Sequence, residues 1–123
     1  MNVKELRALC AGWPGVAEDV KWGSDLVFTA GGRMFCVLDL AEGEAGRLSF
    51  KVDVERFLEY TDRPGILPAA YLARAHWVTL DSADEAGVRP LPAEPLAAAI
   101  RHSYDLVFAR LPRRQQRQIL GQA

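Results

Sequence analysis

The chain has 123 residues, half of them hydrophobic and a quarter charged, with a formal net charge of −1. That length supports one domain and excludes two of ordinary size, and at this size folding buries roughly two thirds of the unfolded surface, so a core forms without disulfides. Near-neutrality excludes a global basic field, and no apolar run approaches the about 18 residues of a membrane-spanning helix.

The charge is uneven. Residues 1–62 carry 7 Lys and Arg against 11 Asp and Glu, whereas residues 63–123 carry 8 against 5. From Arg101 onward there are five arginines and one acid. Such a basic end either meets a local anionic partner or is simply a solvated helix face and tail. Cys10 and Cys36 are far apart and lie in apolar patterns, which predicts buried thiols in a reducing compartment. The opening residues carry no secretory pattern. Together these features predict a cytoplasmic protein.

In chain order, residues 2–11 read as a helix. Asn2 caps it, Glu5 completes a capping box, and Val3, Leu6, Leu9 and Cys10 share one side. GWPG stops it. A short strand DVKW precedes LVFTA (26–30) and RMFCVLDL (33–40), and Gly31-Gly32 between them suits a tight hairpin turn. The polar segment 41–46 reads as a connection. RLSFKV (47–52) alternates, with Leu48, Phe50 and Val52 on one face and Arg47, Ser49 and Lys51 on the other. Asp53 then caps a helix through Thr61, ended by Arg63-Pro64-Gly65. Residues 66–75 form an apolar segment with room for a helical turn, and 76–81 read as the last strand. After a loop comes the longest helix, about 93–110, with Pro95 in its first turn and an inner stripe of Leu96, Ile100, Ser103, Val107 and Leu111. Residues 112–123 read as a basic tail helix. Helix, four strands, helix, strand and helix predict a two-layer α+β sandwich: an antiparallel sheet with helices on one face.

Period-two reasoning assigns Leu26, Phe28, Met34, Cys36 and Leu38 to the helix side. It sends Val27, Thr29, Arg33, Phe35 and Val37, with Lys51 and Trp77, to the outer side. An outer face combining Trp77 and Phe35 with Arg33 and Lys51 suits single-stranded nucleic acid or a flat protein partner. The alternative for Trp77 is packing beneath residues 64–74. Strand alternation sends His76 to the inner side, where it ties the loop to the strand. No zinc spacing, P-loop, nucleophile elbow or carboxylate dyad is visible, so no catalytic residue, metal or cofactor is assigned.

GGRMF, LSFKVD, YLARAHW and HSYDLV, in that order, resemble the MmcQ/YjbR family across about residues 12–114. The resemblance implies a frataxin-like (CyaY-like) fold and a DNA-binding role. It points to Arg33, Lys51, Arg74 and Trp77, and to the basic end at Arg110, Arg113 and Arg114. Frataxin-type iron binding does not carry over, because the first helix holds only Glu5 as an acid, beside Lys4 and Arg7. The expectation is a non-enzymatic DNA-binding protein, for single- or double-stranded DNA. It contacts phosphates through those basic residues and offers Trp77 for stacking. The alternatives are a protein-interaction module on the same sheet face and a small-ligand or metal-binding protein.

Overall fold

A computed structural model describes residues 1–40, 47–81 and 90–122. The expected connection at 41–46 and most of the loop before the long helix lie outside the described residues. The elements run α1 (Val3–Cys10), β1 (Val16–Lys21), β2 (Asp25–Ala30), β3 (Arg33–Asp39), β4 (Leu48–Lys51), α2 (Phe57–Thr61), β5 (Ile66–Pro68), β6 (Trp77–Leu80), α3 (Ala93–Ala109) and α4 (Arg113–Ile119). Single 3-10 turns precede α2 at Val54–Arg56 and β6 at Ala73–Ala75. The strands form one antiparallel sheet in the order β1-β2-β3-β4-β6-β5. The α+β class and the four strands before α2 match the expectation. The helical turn for which residues 66–75 have room is the 3-10 turn at Ala73–Ala75, whereas the strand at Ile66–Pro68 is not among the expected elements. Its pairing with β6 makes it the sheet edge, and a long-range partner overrides a weak local pattern.

Local chemistry explains several ends. Asn2 Oδ1 accepts from the Glu5 amide at 2.8 Å while Glu5 Oε1 accepts from the Asn2 amide, closing the capping box of α1. Gly31 and Gly32 both take positive φ, 57° and 86°, as a two-residue hairpin turn with right-handed twist requires. The stripe of α3 (Leu96, Ile100, Ser103, Val107) and Leu111 just beyond it are all buried. Leu96, Ile100 and Val107 share one core with Leu26, Phe28, Phe50 and Val78 on the helix side of the sheet, joined there by Leu6 and Cys10 of α1. Burial pushes the Cys10 thiol up to about 12 and raises Cys36 well above its usual range, so both are inert, protonated core groups.

One register change reverses an assignment. β2 pairs Phe28 with Cys36 but Thr29 with Met34, leaving Phe35 as the extra residue of a β-bulge. Phe35 therefore turns into the core at 0% exposure, against Trp13, Phe28 and Tyr104, while Met34 moves to the outer face. Both are opposite to strict alternation. Beyond the Cys36–Phe50 pair no further β3–β4 partners occur. There the Ser103 hydroxyl enters between the strands, accepting from the Lys51 amide at 3.0 Å and donating to the Phe35 carbonyl at 2.6 Å.

The tail helix is held by the hairpin turn. Gln115 Nε2 donates to the Gly31 carbonyl at 2.9 Å, and a methyl group on Gly31 would meet Leu111 at 2.7 Å and Ile119 at 3.1 Å. Gly31→Ala is expected to destabilise the fold by about 1–3 kcal/mol, from the left-handed φ and the overpacked contact. Thermal unfolding checks this, and an unchanged midpoint would mean that α4 does not depend on the turn.

Candidate nucleic-acid interface

The side chains singled out in the sequence divide into two groups. Trp77 and Lys51 belong to the interior. They are cross-strand partners on the face away from the helices, as alternation predicts, but that face is not open there. Residues 69–72 fold back over it and, with Ser49 and Thr79, line its groove. The backbone returns from this loop by bonds from Ala69 N to Trp77 O and from Trp77 N to Leu72 O. Trp77 is left only 5% exposed, which corrects the expectation of a free stacking surface. Phe35, expected beside it, lies in the core on the other side.

Lys51 is 8% exposed, and its ammonium donates to the Ala75 carbonyl, pinning the loop. Burial, reinforced by Arg110, lowers its pKa from the ordinary lysine value. Lys51 is therefore corrected from a phosphate contact to a loop anchor. His76 performs the tie expected of it through its backbone: its N–H donates to Ala73 and its carbonyl accepts from Val52 at 2.9 Å, with φ at 63°. Its ring meets Phe57 edge-on.

The second group is exposed and basic. Arg33 begins β3 directly after the turn that holds α4. Arg110 closes α3, and Arg113 and Arg114 begin α4. On α4, Gln115 and Ile119 take the inner side against Gly31, so Arg113, Arg114 and Arg117 remain outside. Arg117 was not singled out in the sequence, although the spacing 113/117 already places it one turn along the same face. Residues 110–123 contain four arginines and no acid. Among the described residues, none of Arg33, Arg110, Arg113, Arg114 and Arg117 sits in a salt bridge, unlike Arg7, Arg47, Arg56 and Arg101. Arg74 is also exposed and unpaired among them, in the turn whose next carbonyl Lys51 holds. Arg110 acts electrostatically on Lys51, whose ammonium holds the carbonyl next to Arg74. Leu111, Arg113, Gln116, Arg117 and Leu120 border a shallow recess of about 550 Å3 along α4.

A separate cleft of about 360 Å3 lies between α3 and the segment after β4, lined by Asp53, Arg56, Tyr60, Ala98 and His102. His102 Nε2 sits 2.7 Å from Asp53 Oδ2. Sequence reasoning missed this pair because its members are 49 positions apart. The neighbouring Ser103 hydroxyl is occupied by strand backbone, so the two adjacent residues serve different surfaces. Among the described residues no three of His, Cys, Asp and Glu are placed to hold a metal ion, and no helix is long and apolar enough to cross a membrane.

The sheet, its helical layer and the basic end define a small two-layer α+β protein with an arginine-rich pole. The YjbR family model matches residues 11–106, and the chain belongs to the YjbR family. Its fold is similar to that of the Deinococcus radiodurans protein DR2400, described by the domain DUF419. That likeness has a TM-score of 0.80 and 33% identity over 99% of this chain and 89% of that one. It is also similar to a Pseudomonas syringae protein at TM-score 0.65 and 20% identity, covering 87% of this chain and 99% of that one. A search of the curated proteins returns no match.

Proposed function

We propose that this protein binds DNA through its arginine-rich pole, without catalysis, and works in the cytoplasm. We further propose that its sandwich is of the frataxin-like (CyaY-like) type, a reading supported by an N-terminal helix and a long late helix packed on one face of an antiparallel sheet. The observation that carries the binding proposal is the set of exposed arginines at 33, 110, 113, 114 and 117. All lie at or beside the contact between the hairpin turn and α4, and none is neutralised by a carboxylate among the described residues. Cations held that way are available to phosphates, and guanidinium forks suit phosphate oxygens. Arg74 extends the positive surface. Trp77 and Lys51 support it from below by fixing the loop that carries Arg74.

Because the contacts are to phosphate, affinity rests on counterion release and is sequence-tolerant. Labelled single- and double-stranded DNA titrated at about 50 and about 200 mM salt should show binding that falls by at least about tenfold across that range. Failure to bind either form at the lower salt would end the proposal. The competing use of the sheet face as a flat protein-docking surface is less supported, because residues 69–72 already occupy part of that face.

A further inference from the structure

The recess along α4, about 550 Å3, falls within the size range of small-ligand sites, about 300–1,000 Å3. Its walls follow helix spacing. Arg113 and Arg117 form one row, and Gln116 and Leu120 form the adjacent row, each pair four residues apart. The end of α3 supplies Ala109, and Leu111 follows it. Leu120 is 46% exposed, a large apolar side chain in a lining that also holds two arginines.

Gln116 sets the polarity of this surface. Its Nε2 donates to the Leu111 carbonyl at 2.8 Å and to the Ala109 carbonyl at 3.3 Å. Two carbonyl partners commit both amide hydrogens and fix which way the amide points. The side-chain oxygen is left as an acceptor, with no donor to it among the described residues. Gln122, the other amide of the lining, carries a donor and an acceptor and suits either kind of ligand. A phosphate needs donors. An acceptor oxygen repels it, and the carbon of Leu111 and Leu120 offers it nothing. Phosphates therefore belong to the guanidiniums. What the recess itself suits is a flat, weakly charged group with an N–H to give.

An unpaired nucleobase is such a group, and it arrives attached to phosphates. Each of the four bases carries an N–H on its Watson–Crick edge, and its ring can lie on a guanidinium plane or on apolar carbon. In a closed duplex those edges are paired and the faces are stacked. We propose that the recess holds one unpaired nucleobase, with an N–H of that edge on Gln116 Oε1. Its ring lies against Leu120 and the guanidinium planes of Arg113 and Arg117, and its flanking phosphates lie on the arginine pole. This inference rests on the DNA-binding reading and sharpens it: the pole prefers a single strand, or a duplex with an unpaired end, to a closed duplex.

The test uses the full chain and fluorescence anisotropy at about 0.1 M salt with three DNA probes. They are a blunt hairpin, the same hairpin with a short thymine tail, and the same hairpin with an abasic tail of equal phosphate count. The thymine tail should bind about tenfold more tightly than the abasic tail, the low end of what one held base contributes. Methylating thymine N3 removes the N–H and should erase most of that gain. Gln116→Met keeps the length and drops the acceptor, and should do the same, with circular dichroism checking that α4 stays folded. Leu120→Ser changes an exposed position outside the core and should cut the gain to about threefold or less. Equal affinity for the thymine and abasic tails would overturn the proposal and leave DNA binding intact. So would a gain that survives both N3 methylation and Leu120→Ser, which would put the base elsewhere on the protein. No binding of any probe at about 50 mM salt would remove the DNA-binding reading and this inference with it.

Discussion

Replacing Arg113, Arg114 and Arg117 together by alanine should weaken binding to a short DNA duplex by about two orders of magnitude near 0.1 M salt, and should flatten the salt dependence by about 2.7 in log–log slope. The figure follows from losing three phosphate contacts at about 0.9 released counterions each. For a single strand the same replacement should remove about 2.1. Stability should hardly change. These side chains occupy the exposed side of α4, while Gln115 and Ile119 make its contact with the hairpin turn. Alanine is also a better helix former than arginine by a small margin. Fluorescence anisotropy across a salt series, with circular dichroism as the folding check, separates the two effects. An unchanged slope in a folded variant would mean that the phosphates are met elsewhere, with Arg33, Arg74 and Arg110 the next positions to change.

Ser103→Ala should be the most damaging single-atom change in the fold. The hydroxyl occupies the gap where β3 and β4 part, and it serves the Lys51 amide and the Phe35 carbonyl at once. Without it two backbone groups in a buried region lose a partner, at about 1–3 kcal/mol each. A fall in the thermal midpoint of about 8 °C or more is expected for a domain of this size. The loss should reach the basic surface as well. Lys51 anchors the Ala75 carbonyl beside Arg74, so a loosened β4 end loosens that turn. Hydrogen exchange at residues 69–76 is expected to speed up with the midpoint shift. A variant whose midpoint moves by less than about 2 °C would show that the strands close the gap by themselves or that water replaces the hydroxyl.

Several parts of this molecule are legible without coordinates because their causes are local. The capping box at Asn2 and Glu5, the double-glycine turn and the apolar stripe of α3 each depend on neighbours within about one turn of chain. Even Ser103 falls on the inner stripe. A serine in an apolar row is a signal that something polar waits opposite, although the pattern does not say what. The bulge at Phe35 is different. One extra residue inverts the face of Met34 and Phe35, and nothing in RMFCVL marks where the insertion lies. The strand at Ile66–Pro68 is three residues long and exists through its pairing with β6. Trp77 reads correctly as facing away from the helices, yet its burial depends on a loop that returns over it. Alternation assigns a side, not a cover.

The candidate sites divide in the same way. The excess of arginines after residue 100 is a property of composition, visible as a count. That they form one pole with Arg33 depends on α4 docking against Gly31, a contact between residues 84 positions apart. The recess beside them depends on how the chain turns between α3 and α4, which brings Gln116 to the Ala109 and Leu111 carbonyls, and helix spacing does not specify that turn. By itself, then, the sequence determined the α+β class, the capping box of α1, the hairpin and the uneven charge, because propensity, periodicity and composition act along the chain; the cap expected from Asp53 is not made, since its carboxylate is bonded to His102. Tertiary structure alone decided which aromatic is buried and which cation is free. Those outcomes depend on register and on loop closure, which are set by packing between segments remote in sequence.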